Sequence, residues 1–289
     1  MKLVCPIYKN SELNSLVGYV DSVILMVPHY SYIYDNLDLD SAIEFCKKNN
    51  IETILSITRV FMENELNEIA DFIKKHKNFK FLISDLGVLE TMMDLGLEKN
   101  IIYDPTTLVC NSMDLNIYAS LGLNAVGMSS EIPINDIKLA YRVTKAPIFY
   151  HVFGRKLMYY SKRKLLSVYK EYRNVDFKND NLSLVEEKRD YHIPIFENEN
   201  GTYCFRHYHI SLLNEINDLN FLEYAYLESL TLDNKTFVEI LKIYKLVIQN
   251  KISIDEGEES INKLGLTIDD GFAYNDTVHI KEKIIQWEK

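Results

Sequence analysis

The sequence predicts an α/β fold: a (β/α) TIM-barrel-like domain followed by a small C-terminal α+β extension. Three observations carry this expectation. Short β-branched and apolar runs recur through the first half of the 289-residue chain. Segments of helical period separate them, and a residue able to cap a helix opens each such segment. The barrel-like domain is placed at residues 1–174 and the extension, completing the barrel and packing on it, at 175–289.

Strands are expected at 2–7, 20–27, 52–58, 79–84, 100–103, 124–129 and 146–152. They are short and mostly apolar, as expected when helices cover a parallel sheet. Ser41 opens a helix at 42–48, Asn64 one at 65–75, Asp85 one at 86–95, Ser112 one at 113–121 and Asn135 one at 136–142. In the second of these, Leu66, Ile69, Ala70 and Ile73 make one apolar stripe, and Lys74 and Lys75 sit where the helix dipole favours cations. A doubly wound open sheet is the alternative. No Gly-x-Gly-x-x-Gly follows the first strand, which argues against a dinucleotide-binding version.

The alternation breaks near Asn174. Residues 174–200 are polar, Asn198-Glu199-Asn200-Gly201 reads as a hairpin turn, 202–208 alternates like a strand, and 237–248 reads as an amphipathic helix. The longest apolar runs are too short to span a bilayer and no leader pattern opens the chain, so a cytoplasmic location with no membrane partner is expected. The four cysteines, Cys5, Cys46, Cys110 and Cys204, have no close pair, which reads as buried reduced thiols and no metal.

Ligands in a barrel bind where the strands end. That rule selects Thr58, Arg59, Asp85, Thr106, Thr107, Asn111, Ser129, Glu131, His151 and Gly154. Such a ring suits a small anionic or polyhydroxylated ligand, or acid–base work by Glu131 or His151. Asp85 and Asn111 complete the candidate catalytic set. Each has a plainer reading: Asp85 and Asn111 as helix caps, Glu131 as a solvated carboxylate, His151 as a core histidine.

Net charge is −10, so an acidic chain gains nothing overall from approaching a polyphosphate. One segment reverses this. From Arg155 to Arg173 seven cations face a single acid, Glu171, with tyrosines between them. Arg155, Lys156, Tyr160, Lys162, Arg163 and Lys164 are the candidate nucleic-acid-binding residues: cations neutralise phosphate, and phenol rings offer stacking faces to unpaired bases. A solvated amphipathic helix is the plainer alternative.

At this segment Phe153-Gly154 is followed by residues 158–166, MYYSKRKLL. These residues resemble the His-Gly turn and Ser-Lys/Gly-Arg-x-Leu element of the peptidase U32 (collagenase-like protease) family. Further likenesses follow in family order: Asp85-Leu86-Gly87, Asn111, Ser129-Ser130-Glu131-Ile132, Arg189 to Ile195, and Gly201-Thr202-Tyr203. Together they cover roughly residues 80–215. Ser161-Lys162-Arg163 is most similar to the short-subunit type, which implies a barrel, tRNA as partner, a role in prephenate-dependent hydroxylation of the wobble uridine, and a longer family member as partner subunit. The resemblance also implies, for several relatives, an iron–sulfur cluster. Cysteines of those relatives are replaced here by Leu157, Lys164 and Ser211, so no cofactor is expected. Ser130 stands for an arginine and Phe153 for a histidine of the family pattern. Two other readings stay open: a U32-type peptidase, for which no His-Glu-x-x-His, Gly-x-Ser-x-Gly or recognisable cysteine nucleophile is present, and a non-catalytic scaffold for the longer relative.

Overall fold

A computed structural model describes residues 1–177, 182–188 and 190–275. Eight parallel strands close on themselves: β1 (Lys2–Ile7), β2 (Ser22–Leu25), β3 (Glu52–Ile57), β4 (Lys80–Ile83), β5 (Ile101–Tyr103), β6 (Ala125–Gly127), β7 (Ile148–Gly154) and, much later in the chain, β13 (Tyr224–Leu227). β13 pairs in parallel with both β7 (Tyr224 opposite Phe149) and β1 (Lys2 opposite Tyr224), which makes the sheet a barrel with no free edge. The predicted (β/α) barrel is therefore the fold. Its eighth strand falls outside the seven runs that the sequence marks.

Side chains alternate along each strand because successive Cβ atoms point to opposite faces. Val4, Ile24, Ile54, Leu82, Ile102, Ala125, Phe149 and Tyr224 point inward, one from each strand, and fill the barrel as a packed layer. Their neighbours Cys5, Val23, Leu55, Phe81, Ile101, Val126, Ile148 and Ala225 point outward to the helices. The surrounding helices are α1 (Leu13–Leu16), α2 (Leu39–Lys48), α3 (Leu66–Lys75), α4 (Leu86–Asp94), α5 (Ser112–Ser120), α6 (Ile134–Thr144) and α8 (Asn234–Ile248). Asp85 caps α4 as its sequence position suggests, Asn111 rather than Ser112 caps α5, α2 begins earlier, at the Asp38 cap, and Pro133 rather than Asn135 precedes α6. A short 3₁₀ turn at Glu63–Glu65 replaces the expected Asn64 cap of α3.

Between β7 and β13 the chain builds a second sheet. β8 (Leu157–Ser161), β11 (Gly201–Phe205), β10 (His192–Asn198) and β9 (Leu182–Val185) pair antiparallel in that order, with α7 (Leu165–Arg173) between β8 and β9. The polar stretch 174–200 thus supplies two strands, and the basic segment is a strand, a turn and a helix rather than one helix. Asn198 pairs with Gly201 across the hairpin read from the sequence. Beyond the sheet, β12 (His209–Ser211) runs antiparallel to the end of β7 and parallel to β14 (Ile268–Asp269), and α9 (Ile254–Asn262) packs on α8. Arg189, part of the family likeness, lies outside the described residues.

The barrel floor is tied by charge. Glu52 Oε1 lies 2.8 Å from Lys80 Nζ, its Oε2 lies 3.1 Å from Lys2 Nζ, and Ser22 Oγ donates to it at 2.5 Å. Burial alone would raise this carboxyl, but the donors win and hold it at about 2. A depressed carboxyl stabilises the fold above its unfolded value near 4.5, and that contribution disappears as pH falls toward 2. Over that window the shift amounts to on the order of 3 kcal/mol. In urea titrations, Glu52→Gln is therefore expected to be less stable than wild type at pH 7, with the gap closing as pH falls from 5 to 2. A gap that stays constant across that range would contradict the assignment.

Candidate functional site at the barrel mouth

The C-terminal ends of the strands open toward the antiparallel sheet, which sits across the mouth. The loop after β2 fastens it: Asn198 Nδ2 donates to the Tyr32 carbonyl at 3.0 Å and Asn200 Nδ2 to the Ser31 carbonyl at 3.1 Å. Aromatic rings fill the seam, with Tyr203 stacked on Tyr160 at 4.7 Å and Tyr32 at 5.8 Å from Tyr203.

Under this seam lies a cleft of about 240 Å³ bounded by the ends of β3, β4 and β5 and roofed by β8. Thr58, Arg59, Ser84, Asp85, Thr106 and Thr107 form its polar wall, and Met158, Tyr159 and Tyr160 its apolar side. The structure thus brings together about half of the predicted ring. Arg59 is buried, its guanidinium bonded to the His29 and Val60 carbonyls and to Glu65 at 2.8 Å, and it lies 4.1 Å from the Phe61 ring centre. Glu65 also accepts from Lys162 Nζ at 3.1 Å. The Arg59 hydrogen bond, aided by Lys162, holds the Glu65 carboxyl down at about 2.

The four candidate catalytic residues do not converge. Asp85 Oδ1 accepts from the Gly87 and Val88 amides at 2.7 and 3.3 Å, so it caps α4 while presenting one edge to the cleft. Asn111 Oδ1 caps α5 through the Met113 and Asp114 amides, exposed and away from the cleft. Glu131 is a solvent-facing carboxylate after β6. His151 is 5% exposed, inside the barrel against Tyr226. Its Nε2 lies 2.6 Å from the Phe153 carbonyl oxygen, which can only accept, so Nε2 carries the proton. Burial, with Lys156 nearby, lowers this imidazole to about 3, and it stays neutral at ordinary pH.

A group that the strand-end rule did not select lies deeper. Glu228, the residue after β13, is 1% exposed. It accepts from Tyr8 Oη at 2.9 Å, Tyr226 Oη at 2.6 Å and the Leu230 amide at 2.8 Å. No described cation pairs with it. Burial raises its carboxyl against the pull of those donors, and both phenols are pushed up by burial and by the carboxylate. Tyr32, on the wall of the cleft, is raised by burial and by the same charge. The signal in the sequence was Leu227-Glu228-Ser229, a carboxylate closing an apolar run, legible only once that run is known to be a barrel strand.

Gly154 makes room for this group. Its φ is +105°, and a Cβ there would run into the Glu228 carbonyl and Cβ. Gly154→Ala is expected to cost about 3 kcal/mol through left-handed strain and this clash, measured by chemical denaturation. A cost under about 1 kcal/mol would contradict the packing described.

The predicted basic residues separate into two groups. Arg155 folds back on the carbonyls of Arg206 and His207, and Lys156 is half-buried beside it. Tyr160 donates to the Asn200 carbonyl at 3.2 Å and accepts from the Val60 amide at 3.4 Å, part of the cleft's roof. Lys162, Arg163 and Lys164 form the exposed turn between β8 and α7, at the rim. Among the described residues Arg163 and Lys164 make no ion pair.

Thiols do not gather here. Cys5, Cys46 and Cys204 are buried on β1, α2 and β11, and burial raises all three, favouring the neutral thiol, whereas Cys110, expected to be buried, is only half-buried. Leu157, Lys164 and Ser211 offer no thiolate. Among the described residues no group of three or more His, Cys, Asp or Glu is placed to hold a metal ion. The residues present do not fit an iron–sulfur cluster.

The family model for peptidase family U32 matches residues 30–275. The chain belongs to that family. A tRNA hydroxylation protein P2 from Bacillus subtilis (strain 168) is 22% identical over 267 residues, covering 84% of this U32 chain and 85% of the relative. A U32 peptidase of known structure superposes with a TM-score of 0.48 at 8% identity, covering 79% of this chain and 92% of that one. An orotidine 5'-monophosphate decarboxylase from Methanocaldococcus jannaschii, complexed with the inhibitor BMP, gives 0.41 at 12% identity, covering 91% and 97%. Among the described residues no helix of this U32 chain is long and apolar enough to cross a membrane.

Proposed function

We propose that this U32 chain serves tRNA modification, in wobble-uridine hydroxylation, by holding tRNA at the barrel mouth. The observation that carries the reading is the exposed Lys162-Arg163-Lys164 turn at the rim of the cleft, in a chain of net charge −10. A cationic rim above a pocket places a phosphate backbone where one nucleotide can reach inward. The family, and a relative named for tRNA hydroxylation, support it. The cleft's Thr58, Ser84, Thr106 and Thr107 hydroxyls suit a small polar ligand, for which prephenate is the candidate, while Arg59 is already paired with Glu65.

Within that function the accessory role, beside a longer U32 subunit, is favoured by the fate of the acid–base candidates. His151 is buried and neutral, Asp85 and Asn111 are engaged as caps, and Glu131 faces solvent away from the cleft. Titration of the purified chain with labelled tRNA at rising salt tests the reading. Saturable binding that weakens steeply with salt is expected; affinity no greater than for an acidic control protein would overturn it.

A further inference from the structure

The antiparallel sheet has two faces. Tyr160, Tyr203 and Phe205 look toward the barrel mouth, Ile195 and Cys204 look the other way, and Tyr159, on the edge strand β8, borders both sides. On that outer side α7 lies across the sheet and leaves a groove of about 770 Å³. This volume falls among pockets that bury drug-sized ligands, roughly 300–1,000 Å³. Leu165, Leu166 and Tyr169 line it from the helix. None of these elements belongs to the barrel and Glu228 has no part in the groove, while Met158 and Tyr159 line both it and the cleft.

Two features identify the occupant. The aromatic rings are presented rather than packed away: Tyr159 is 47% exposed, Tyr169 50% and Tyr172 82%. Tyr169 and Phe177 lie parallel, within 3°, at 6.1 Å between centres, so their faces share one orientation. Around them stand Lys162, Arg163, Lys164, Lys170 and Arg173, on an acidic chain. Lys162 and Lys170 are partnered by Glu65 and Asp176, while Arg163, Lys164 and Arg173 make no ion pair with any described residue. An apolar groove alone suits many partners. Presented phenol faces fringed by unneutralised cations suit a strand whose charge lies outside and whose flat apolar bases can turn inward.

We propose that this groove on the outer face of the antiparallel sheet stacks unpaired bases of RNA, with Tyr159 and Tyr169 as platforms and the 162–164 turn as the phosphate contact. This rests on the tRNA reading and refines it: the turn serves two surfaces, the cleft inside and the groove outside. Helical RNA keeps its bases stacked and paired, so the groove distinguishes loops from stems.

The test compares four full-length proteins by fluorescence anisotropy: wild type, Tyr159→Ser with Tyr169→Ser, Tyr159→Phe with Tyr169→Phe, and Lys162→Ala with Arg163→Ala and Lys164→Ala. The probes are a single-stranded oligoribonucleotide of about 12 nucleotides, within the length such surfaces cover, and a duplex of the same length. The serine pair is expected to weaken single-strand binding about 10-fold or more with its salt slope unchanged. Duplex binding should hold, and the phenylalanine pair should bind like wild type. If the cation variant loses affinity and the serine pair does not, the groove proposal fails while the tRNA reading survives. If wild type binds neither probe nor tRNA, both fail. Equal losses on single strand and duplex, or a serine pair that changes only the sedimentation of the protein, would overturn the proposal in favour of a protein interface.

Discussion

Replacing Lys162, Arg163 and Lys164 together by alanine is expected to weaken tRNA binding about 10- to 100-fold near physiological salt, and to lower the slope of log Kd against log salt by about 2 to 3. The physical reason is counterion release: each cation that neutralises a phosphate frees condensed counterions, and each one removed takes its share of the salt dependence with it. The three side chains are exposed, and the Lys162–Glu65 pair is partly exposed and worth less than about 1 kcal/mol, so the fold should tolerate the change. Circular dichroism and urea midpoints close to wild type would show this. Unchanged affinity and slope would mean that the turn does not touch RNA. Arg155 provides an internal contrast. Because it is bound to the Arg206 and His207 carbonyls, Arg155→Ala should reduce stability more than it changes the salt slope.

The second large effect lies under the mouth. Glu228→Ala is expected to destabilise the protein by about 3–5 kcal/mol, because two buried phenols and the Leu230 amide lose their acceptor at once. Glu228→Gln keeps the shape and one acceptor oxygen, enough for Tyr8 and the Leu230 amide, and should cost less, with Tyr226 turning its hydroxyl to accept from the new amide. The pH dependence separates a titrating carboxyl from a merely polar one. A buried acid whose folded value is raised favours the protonated form. Its contribution is complete below the unfolded value near 4.5 and is lost as pH rises through the folded one. Wild type should therefore lose stability relative to Glu228→Gln as pH climbs from 4.5. This is opposite in sign to the Glu52 effect at the barrel floor. Parallel pH curves for wild type and the glutamine variant would contradict the assignment.

These two sites also show how far the residues could be read without coordinates. The first seven barrel strands, and the caps at Asp85 and Asn111, follow from local pattern, because an apolar run and a carboxylate or amide before a helix are local facts. β13 was not legible. Tyr224–Leu227 is four residues long and becomes a strand through β1 and β7, which lie far away in sequence. Glu228 was hidden with it. Of the antiparallel sheet only the Asn198–Gly201 hairpin and the strand after it were legible: β8 is held by Thr202–Phe205, far on in the chain, and strand character there comes from the partner more than from propensity. Composition located the cations between Arg155 and Arg173 correctly but could not sort them. Only the fold shows that Arg155 turns to backbone carbonyls while Lys162, Arg163 and Lys164 reach the surface. His151 was ambiguous for a related reason, since an imidazole in an apolar run serves chemistry or packing according to where the neighbouring strands put it.

The most direct measurement is mass spectrometry of tRNA nucleosides from cells lacking this chain, re-expressing either wild type or the Lys162, Arg163 and Lys164 alanine variant. Hydroxylated wobble uridine should vanish in the deletion, return with wild type, and stay low with the variant at equal protein level. A nucleoside profile unchanged by the deletion would contradict the tRNA assignment.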